Sequence, residues 1–209
     1  MAEITMDLIK KLREWSGAGI MDCKGALQAA DGDLEKAMEV LRKQNAEVAA
    51  RKAHRETKNG MVGSYLHTRA DGGVPSIGVL VEVNCETDFA ARSDVFKDFV
   101  KKLCLHVAAA NPLWLNAEQV PTDVIEKEKE IAREQLRPSG KPDNIIEKIV
   151  EGKVKKFLQD SCLVDQEFAL AADKSEQVPI SQLLKNVIGT LGENMSIRRF
   201  VRFDLNSNS

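Results

Sequence analysis

The first 45 or so residues place apolar and polar positions with the period of an α-helix, in consecutive blocks. Residues 5–15 space apolar side chains three and four positions apart behind Thr5, a residue type that caps helices. A second block covers 21–30, and a third starts behind Asp33. These blocks predict a compact bundle of three short helices. The Ala-rich segment 46–58 favours a connecting helix after the bundle.

Beyond Gly60 the pattern changes to that of β-strands. Residues 61–68 and 76–85 are rich in aliphatic side chains, and the segment 69–73 between them has turn composition. We therefore predict a β-hairpin whose second strand is the central strand of a sheet. Later segments predict four helices, at 95–110, 122–136, 144–158 and 181–191, and a final strand in SIRRFVRFDL.

The order of these elements predicts an α+β protein. Its N-terminal three-helix bundle is followed by an α+β core in which helices pack a small antiparallel sheet. We place the N-terminal module, with its connecting helix, at 1–55 and the core at 56–209. The hairpin and the NCETDF segment after it occur once in the chain.

The composition is that of an ordinary globular protein and narrows the expected partners. Thirty basic and 32 acidic residues give a net charge of −2, so the chain lacks the overall positive field that drives non-specific nucleic-acid binding. A protein or a small ligand is the better expectation. The opening MAEITMDLIKK lacks a long apolar core, and no segment approaches the ~20 apolar residues that cross a bilayer. We expect a cytoplasmic protein with no membrane partner.

The motifs that usually mark catalysis or cofactor binding are absent from the sequence. It has neither a Gly-rich phosphate loop nor an H-E-x-x-H or nucleophile-elbow pattern. Its three histidines are far apart: His106 falls in an apolar helix and is expected in the core, whereas His67 at a strand end suits a partner-facing role. We predict no enzyme, no cofactor and no metal.

The four cysteines show no spacing that points to chemistry. No C-x-x-C pair occurs, so the spacing supports neither a zinc site nor a dithiol redox motif, and reduced thiols are expected. The cysteines are Cys23, Cys85, Cys104 and Cys162.

The segment NCETDFAAR, residues 84–92, puts a phenylalanine on the connection between a strand and a helix. In one interpretation Thr87 or Asp88 forms a turn while Phe89 tucks under the sheet. In the other, Phe89 projects from a rigid mount into a groove of a partner, and Asp88 offers a carboxylate beside it. Spacing alone does not separate the two interpretations.

Ile20 and Met21 present a similar choice. They follow Gly17-Ala18-Gly19, at the start of the second helix. Their position at the end of an element favours core packing, since apolar residues there usually point inward. The alternative is an apolar contact surface on a tight loop.

Several segments, taken together and in order, are distinctive of one family. They are MAEIT, SGAGIMDCKGALQAADGDLEKAMEVLRK, NCETDFAAR, RPSGKP followed by EKIVEGKVKKF, and the closing SIRRFVRF. Through them the chain resembles bacterial translation elongation factor Ts over nearly its whole length. The single copy of the sheet unit, without a long heptad run, resembles the short, single-core form, which implies a homodimer formed through the core.

The resemblance implies guanine-nucleotide exchange on elongation factor Tu, the GTPase that delivers aminoacyl-tRNA during chain elongation. In the family, the N-terminal bundle resembles a ubiquitin-associated fold and docks on the GTPase nucleotide domain. A Thr-Asp-Phe-Val loop inserts near the magnesium site and loosens Mg²⁺ and GDP.

The matching motif assigns this displacement loop to residues of the present chain. The positions are Thr87, Asp88, Phe89 and Ala90, where alanine replaces the valine usual in the family. The segment Ser-Tyr-Leu-His that ends at His67 resembles a unit of the family's sheet region, which makes His67 a secondary contact. Ile20 and Met21 are the contacts expected from the N-terminal bundle.

Two other functions remain open on the residues alone. The three-helix module could belong to an adaptor that binds a protein partner without regard to nucleotide. An enzyme could use Cys85 or Asp88 in a cleft, although the sequence offers no paired base beside either residue.

Overall fold

The computed structural model describes residues 3–68, 72–171 and 177–205. The predicted hairpin turn lies partly outside this range, at 69–71, as do the first two residues of MAEIT and the last four residues of the chain. The described elements form an α+β fold with one three-stranded antiparallel sheet, as predicted.

The N-terminal module consists of α1 (Met6–Ser16), α2 (Ile20–Ala29) and α3 (Leu34–Lys52). The predicted caps are present: the Thr5 side chain accepts from the Leu8 amide and the Asp33 side chain accepts from the Lys36 amide. The three helices pack around one apolar cluster. Its fully or nearly fully buried members include Ile9, Leu12, Cys23, Ala26, Leu27, Ala37, Met38 and Leu41. The likeness of this module to a ubiquitin-associated fold stays a prediction.

The third helix is longer than predicted. The two segments that we assigned to a short third helix and to a connecting helix form the single α3 of 19 residues. This helix ends at Lys52, so the predicted helical character of 53–58 is wrong, and these residues form turns and irregular structure. The apolar positions of α3 serve two clusters, since Met38 and Leu41 lie in the module and Ala49 lies in the core.

The sheet has the predicted hairpin and central strand. Its strands are β1 (Asn59–Thr68), β2 (Pro75–Cys85) and β3 (Met195–Asp204), in the order β1-β2-β3. Val79, Val81, Val83 and Cys85 alternate along β2 and are buried. The opposite face of the sheet carries exposed apolar side chains: Val62, Leu66, Leu80, Val201 and Phe203.

Five helices complete the core: α4 (Asp88–Arg92), α5 (Asp94–Ala110), α6 (Thr122–Leu136), α7 (Asp143–Ser161) and α8 (Ile180–Leu191). Short 3₁₀ turns occur at Ala117–Gln119 and Arg137–Ser139. The helix α5 packs on the sheet through Phe96, Phe99, Val100, Leu103 and Val107. The sequence predicted α5 to α8 to within a few residues at each end and missed α4.

Two glycines permit close packing in the core. A side chain at Gly63 of β1 would collide with Val100 and Cys104 of α5. A side chain at Gly189 of α8 would collide with Asn45 of α3. The second contact brings the N-terminal module directly against the core. Among the described helices, none is both long and apolar enough to span a membrane.

Candidate functional site

The helix α4 presents one apolar side chain to solvent. Within its sequence DFAAR, Ala90 and Ala91 face inward and pack against the core cluster, which leaves Asp88, Phe89 and Arg92 on the outer side. The side chain of Phe89 is 83% exposed. The interpretation in which Phe89 tucks under the sheet is therefore wrong. The segment is also a short helix and not the open loop that we expected.

Thr87 fixes the start of α4. It is the residue before the first turn, and its Oγ1 accepts from the Ala90 amide at 3.3 Å. The same hydroxyl donates to Oε1 of Glu193 at 2.6 Å, and the Thr87 amide donates to Oε2 of Glu193 at 3.0 Å. Thr87 is half-buried, so these bonds make it a mount for α4.

The other end of α4 is held in the same way. Ser93 Oγ donates to the Ala90 carbonyl at 2.7 Å and accepts from the Phe96 amide at 3.2 Å. Ser93 therefore ends α4 and begins α5. Ala90 itself is buried. Its place among the contact residues stays a prediction, and in this structure its methyl group packs against the core.

Asp88 lies exposed beside Phe89 and has a partner of its own. Nη2 of Arg92 lies 3.0 Å from Oδ2 of Asp88, one helical turn further along α4. Both side chains are largely accessible to solvent, so this ion pair can exchange for other polar partners at little cost. The outer face of α4 thus combines an aromatic ring with an available carboxylate.

Glu86 closes the site on the side of the N-terminal module. Its Oε1 accepts from the Asn194 amide at 2.6 Å, and its Oε2 lies 3.3 Å from Nη1 of Arg55. The hydrogen bond from Asn194, followed by the charge of Arg55, lowers the pKa of Glu86 below its usual value. The side-chain amide of Asn194 also donates, through Nδ2, to the backbone carbonyl of Arg55 at 2.7 Å.

Ile20 and Met21 lie on the surface of the N-terminal module. Ile20 is 49% and Met21 74% exposed, so the core packing that their position favoured is wrong. The inward positions of α2 are taken by Cys23, Ala26 and Leu27. Since Met21 lies about 200° around the helix from Cys23, it faces away from the bundle.

His67 is exposed near the end of β1. Its Nδ1 lies 3.1 Å from the hydroxyl of Tyr65, and the two rings are 6.1 Å apart between centroids. Tyr65 is half-buried and packs against the core. The arrangement holds the exposed imidazole at the surface through one hydrogen bond to Tyr65.

His106 lies in the core, as predicted. It is fully buried in α5, its Nε2 lies 2.9 Å from Oε1 of Gln166, and its Nδ1 accepts from the Ala169 amide at 3.1 Å. This amide donor means that Nδ1 carries no proton. Burial lowers the pKa of His106, so the ring serves as a neutral structural group.

The cysteines are free and buried. Burial raises the pKa of the Cys104 thiol to about 11. For Cys85, burial and then the nearby charge of Glu193 raise the thiol pKa, and its Sγ donates to the Thr87 carbonyl at 3.1 Å. No cluster of three or more potential metal ligands occurs among the described residues.

Sequence reasoning missed Glu193 and Asn194. Both follow the Gly192 that ends α8, and they reach Thr87 and Glu86 across more than 100 residues of chain. No local signal marks them, since a Gly-Glu-Asn segment after a helix reads as an ordinary connection. Only the antiparallel pairing of β2 with β3 brings them to α4.

Comparison with known proteins gives one consistent result. The family model described as "Elongation factor TS" matches residues 33–179. The chain is 52% identical to the elongation factor Ts of Fervidobacterium nodosum over 97% of its length and 98% of the relative. It is 50% identical to that of Thermosipho melanesiensis, covering 96% and 97% of the two chains, and 49% identical to that of a Thermoanaerobacter species, covering 96% and 94%.

Proposed function

The chain belongs to the elongation factor Ts family of translation elongation factors, and on this premise we propose that it promotes GDP release from elongation factor Tu. In this proposal α4 enters the nucleotide site of the GTPase and disturbs the bound Mg²⁺. Phe89 supplies the apolar contact and Asp88 the polar one, while Thr87 and Ala90 hold the helix that carries them.

The observation that carries the proposal is the exposure of Phe89. A phenylalanine that is 83% exposed buries little apolar surface on folding and so adds little to the stability of the fold. The helix that carries it is nevertheless capped at both ends and packed against the core by Ala90 and Ala91. A rigid mount under an exposed aromatic ring is the arrangement found at anchor residues of protein interfaces. It suits insertion into a pre-formed groove.

An exchange factor works by linkage and needs no bond-making residue. If it binds the nucleotide-free GTPase more tightly than the GDP-bound form, it must weaken GDP binding by the same factor. Moving such an equilibrium from about 1:99 to 99:1 requires roughly 5.5 kcal/mol of differential binding. Burial of one phenylalanine supplies about 1.5–3 kcal/mol, so other contacts must contribute.

The N-terminal module and β1 offer those further contacts. Ile20 and Met21 form an exposed apolar pair at the start of α2, and His67 presents an exposed imidazole near the end of β1. We assign the docking of the module to Ile20 and Met21, and a secondary contact to His67. Such a two-part attachment braces α4 against the GTPase while Phe89 enters.

The exposed face of the sheet supports the homodimer. Along three adjacent strands the register aligns Leu66 with Gly78 and Phe203, and Ser64 with Leu80 and Val201. A contiguous apolar face of this kind marks an interface. At its edge Glu82 pairs with Arg199 at 2.7 Å. Across a two-fold axis the acidic residue of one copy can face the basic residue of the other, because the same surface patch is used by both. We propose that this face joins two chains.

The deciding experiment measures release of a fluorescent GDP from elongation factor Tu, with and without this chain, at graded Mg²⁺. We expect the chain to accelerate release, and Mg²⁺ to oppose the acceleration because cation and chain bind in competition. The Phe89→Ala variant should lose roughly tenfold to a hundredfold of the acceleration, the factor that corresponds to burial of one phenylalanine. An unchanged GDP off-rate with the wild-type chain would end the proposal.

One observation favours the adaptor function. Ile20 and Met21 are exposed on the N-terminal module, where they could bind a protein partner without any contact from α4. Capture of a partner that GDP does not release would favour it. An enzyme that uses Cys85 is disfavoured, because burial raises the pKa of that thiol and reduces its thiolate fraction.

A further inference from the structure

Two connecting segments of the core are joined by reciprocal hydrogen bonds next to α4, in which a carboxylate of each segment accepts from the other segment. Glu193, between α8 and β3, accepts from the amide and the hydroxyl of Thr87. In return Glu86, between β2 and α4, accepts from the amide of Asn194 at 2.6 Å. We refer to these four residues, Glu86, Thr87, Glu193 and Asn194, as the clasp.

Glu193 determines the direction in which the Thr87 hydroxyl donates its proton. A threonine hydroxyl has one proton and two lone pairs. The proton is directed to Glu193 at 2.6 Å, which leaves a lone pair for the Ala90 amide at 3.3 Å. Bonds to an ionised acceptor are stronger than neutral ones. Glu193 therefore selects the side-chain orientation in which Thr87 caps α4.

The helix that carries Phe89 depends on such support. It has five residues, and a helix of that length has no stability of its own in water. The phenyl ring is itself exposed, so no packing around it sets its direction. Its orientation comes from the backbone of α4, which is set by the cap at Thr87, the cap at Ser93 and the packing of Ala90 and Ala91 against the core.

The clasp also reaches the N-terminal module. The Asn194 side chain donates to the carbonyl of Arg55 at 2.7 Å, and Arg55 pairs with Glu86. Arg55 lies just beyond the end of α3, at the start of the segment that leads to β1. One connecting segment, Glu193-Asn194, therefore contacts both the residue that caps α4 and the end of the N-terminal module.

We propose that Glu193 is a positioning residue for nucleotide exchange, which acts through Thr87 to hold α4 and Phe89 in the orientation that enters the GTPase. This inference rests on the proposed function. Its physical basis is pre-organisation: a contact residue already fixed in its bound orientation loses less entropy on binding. Without Glu193, part of the contact energy of Phe89 would go into ordering α4.

A double-mutant cycle tests the inference. The rate of stimulated release of fluorescent GDP is measured for the wild type, Glu193→Ala, Phe89→Ala and the double variant. We expect Glu193→Ala to lower the rate about tenfold in the wild-type background. In the Phe89→Ala background it should lower the rate by a smaller factor, because of the two contact residues on α4 only Asp88 then remains to be positioned.

A conservative variant gives the second readout. In Glu193→Gln the amide oxygen can accept from the Thr87 amide, and the amide nitrogen can donate to the Thr87 hydroxyl. We expect it to retain most of the activity that Glu193→Ala loses. The matched control is Glu147→Ala, which removes a carboxylate bound through both oxygens to Arg133 on the α6–α7 hairpin. This control should leave exchange unchanged.

Each outcome has a distinct meaning. An equal loss from Glu193→Ala in both backgrounds, or no loss in either, would overturn the positioning role. If wild-type chain fails to accelerate GDP release at all, the proposed function fails first. Should Glu193→Ala not fold, Thr87→Val serves in its place in the same cycle. It removes the hydroxyl, retains the hydrogen bond from the Thr87 amide to Glu193, and should likewise show a larger loss when Phe89 is present than when it is replaced by alanine.

Discussion

Asp88 and Arg92 lie one turn apart on the outer face of α4 and form an ion pair, with Nη2 of Arg92 3.0 Å from Oδ2 of Asp88. The carboxylate proposed to meet the GTPase is therefore already engaged in the free chain. New polar groups can compete with Arg92 for this carboxylate, because both side chains are largely exposed.

The variant Arg92→Gln tests this competition. An exposed pair contributes at most about 1 kcal/mol, so its loss should leave the free energy of unfolding nearly unchanged. Freed Asp88 should then raise the efficiency of GDP release by no more than about fivefold, the factor that corresponds to that energy. A large fall in exchange efficiency would show instead that Arg92 contacts the GTPase itself. The measurement is stimulated GDP release at low and high salt.

Phe89 and Phe96 are two phenylalanines seven residues apart with opposite surroundings, since Phe89 is 83% and Phe96 0% exposed. Phe89→Ala should change the free energy of unfolding by less than about 0.5 kcal/mol, the usual range for a surface site. Phe96→Ala should lower it by about 3–5 kcal/mol. Denaturant unfolding of both variants measures the difference. Marked destabilisation by Phe89→Ala would contradict the exposed position of that ring and indicate that it packs in the core.

The lowered pKa of Glu86 predicts how the clasp responds to acid. Because the pKa is lower in the folded chain than in the unfolded chain, ionised Glu86 stabilises the fold above its ordinary value of 4.5. The contribution is lost as the pH falls through the folded-state pKa. Glu86→Gln should therefore lower the melting temperature near neutral pH, with a difference from wild type that shrinks as the pH falls below the ordinary pKa of 4.5. A difference independent of pH would contradict this assignment.

The apolar face of the sheet predicts a variant that separates two chains. Phe203 lies near one end of β3 on that face, and Phe203→Glu would place one charge from each copy in the proposed interface. We expect a monomer in sedimentation or light scattering, with an unchanged circular dichroism spectrum. Lys127→Glu, an exposed site on α6, is the matched control and should stay dimeric. A monomeric wild-type chain would refute the interface.

The buried thiols predict slow labelling of the native chain. Burial raises the pKa of Cys104 to about 11 and also raises those of Cys85 and Cys162. At about pH 8 these groups should be almost entirely thiols, which react far more slowly than thiolates. A thiol reagent should label them only as fast as the fold opens, and completely in denaturant. One rapidly labelled cysteine in native protein would reveal a local opening at its site.

Much of the fold could be predicted because its elements are long and regular in pattern. Eleven apolar-rich residues of β2 and seventeen of α5 repeat the strand and helix periods several times, and Thr5 and Asp33 are caps of the expected type. The helix α4 was missed because five residues give barely more than one helical period. Its threonine was open to interpretation as a turn residue.

The site could be predicted only in part. The resemblance identified residues 87–90 but not which of them face outward, since that depends on Ala90 and Ala91 packing against the core. For Met21 the expectation from position was wrong because the buried face of α2 runs through Cys23, Ala26 and Leu27. Glu193 is a purely tertiary contribution, as it meets Thr87 across 106 residues of chain.

The helix α3 contributes to both apolar clusters, with Leu41 in the module and Ala49 in the core. Each residue of an α-helix advances about 1.5 Å and turns about 100°. The number of residues between these two positions therefore sets the angular phase of one half of the molecule against the other. Lengthening α3 by a single residue there would rotate Ile20 and Met21 about the helix axis, away from the target proposed for Phe89, although each of these side chains would still be present.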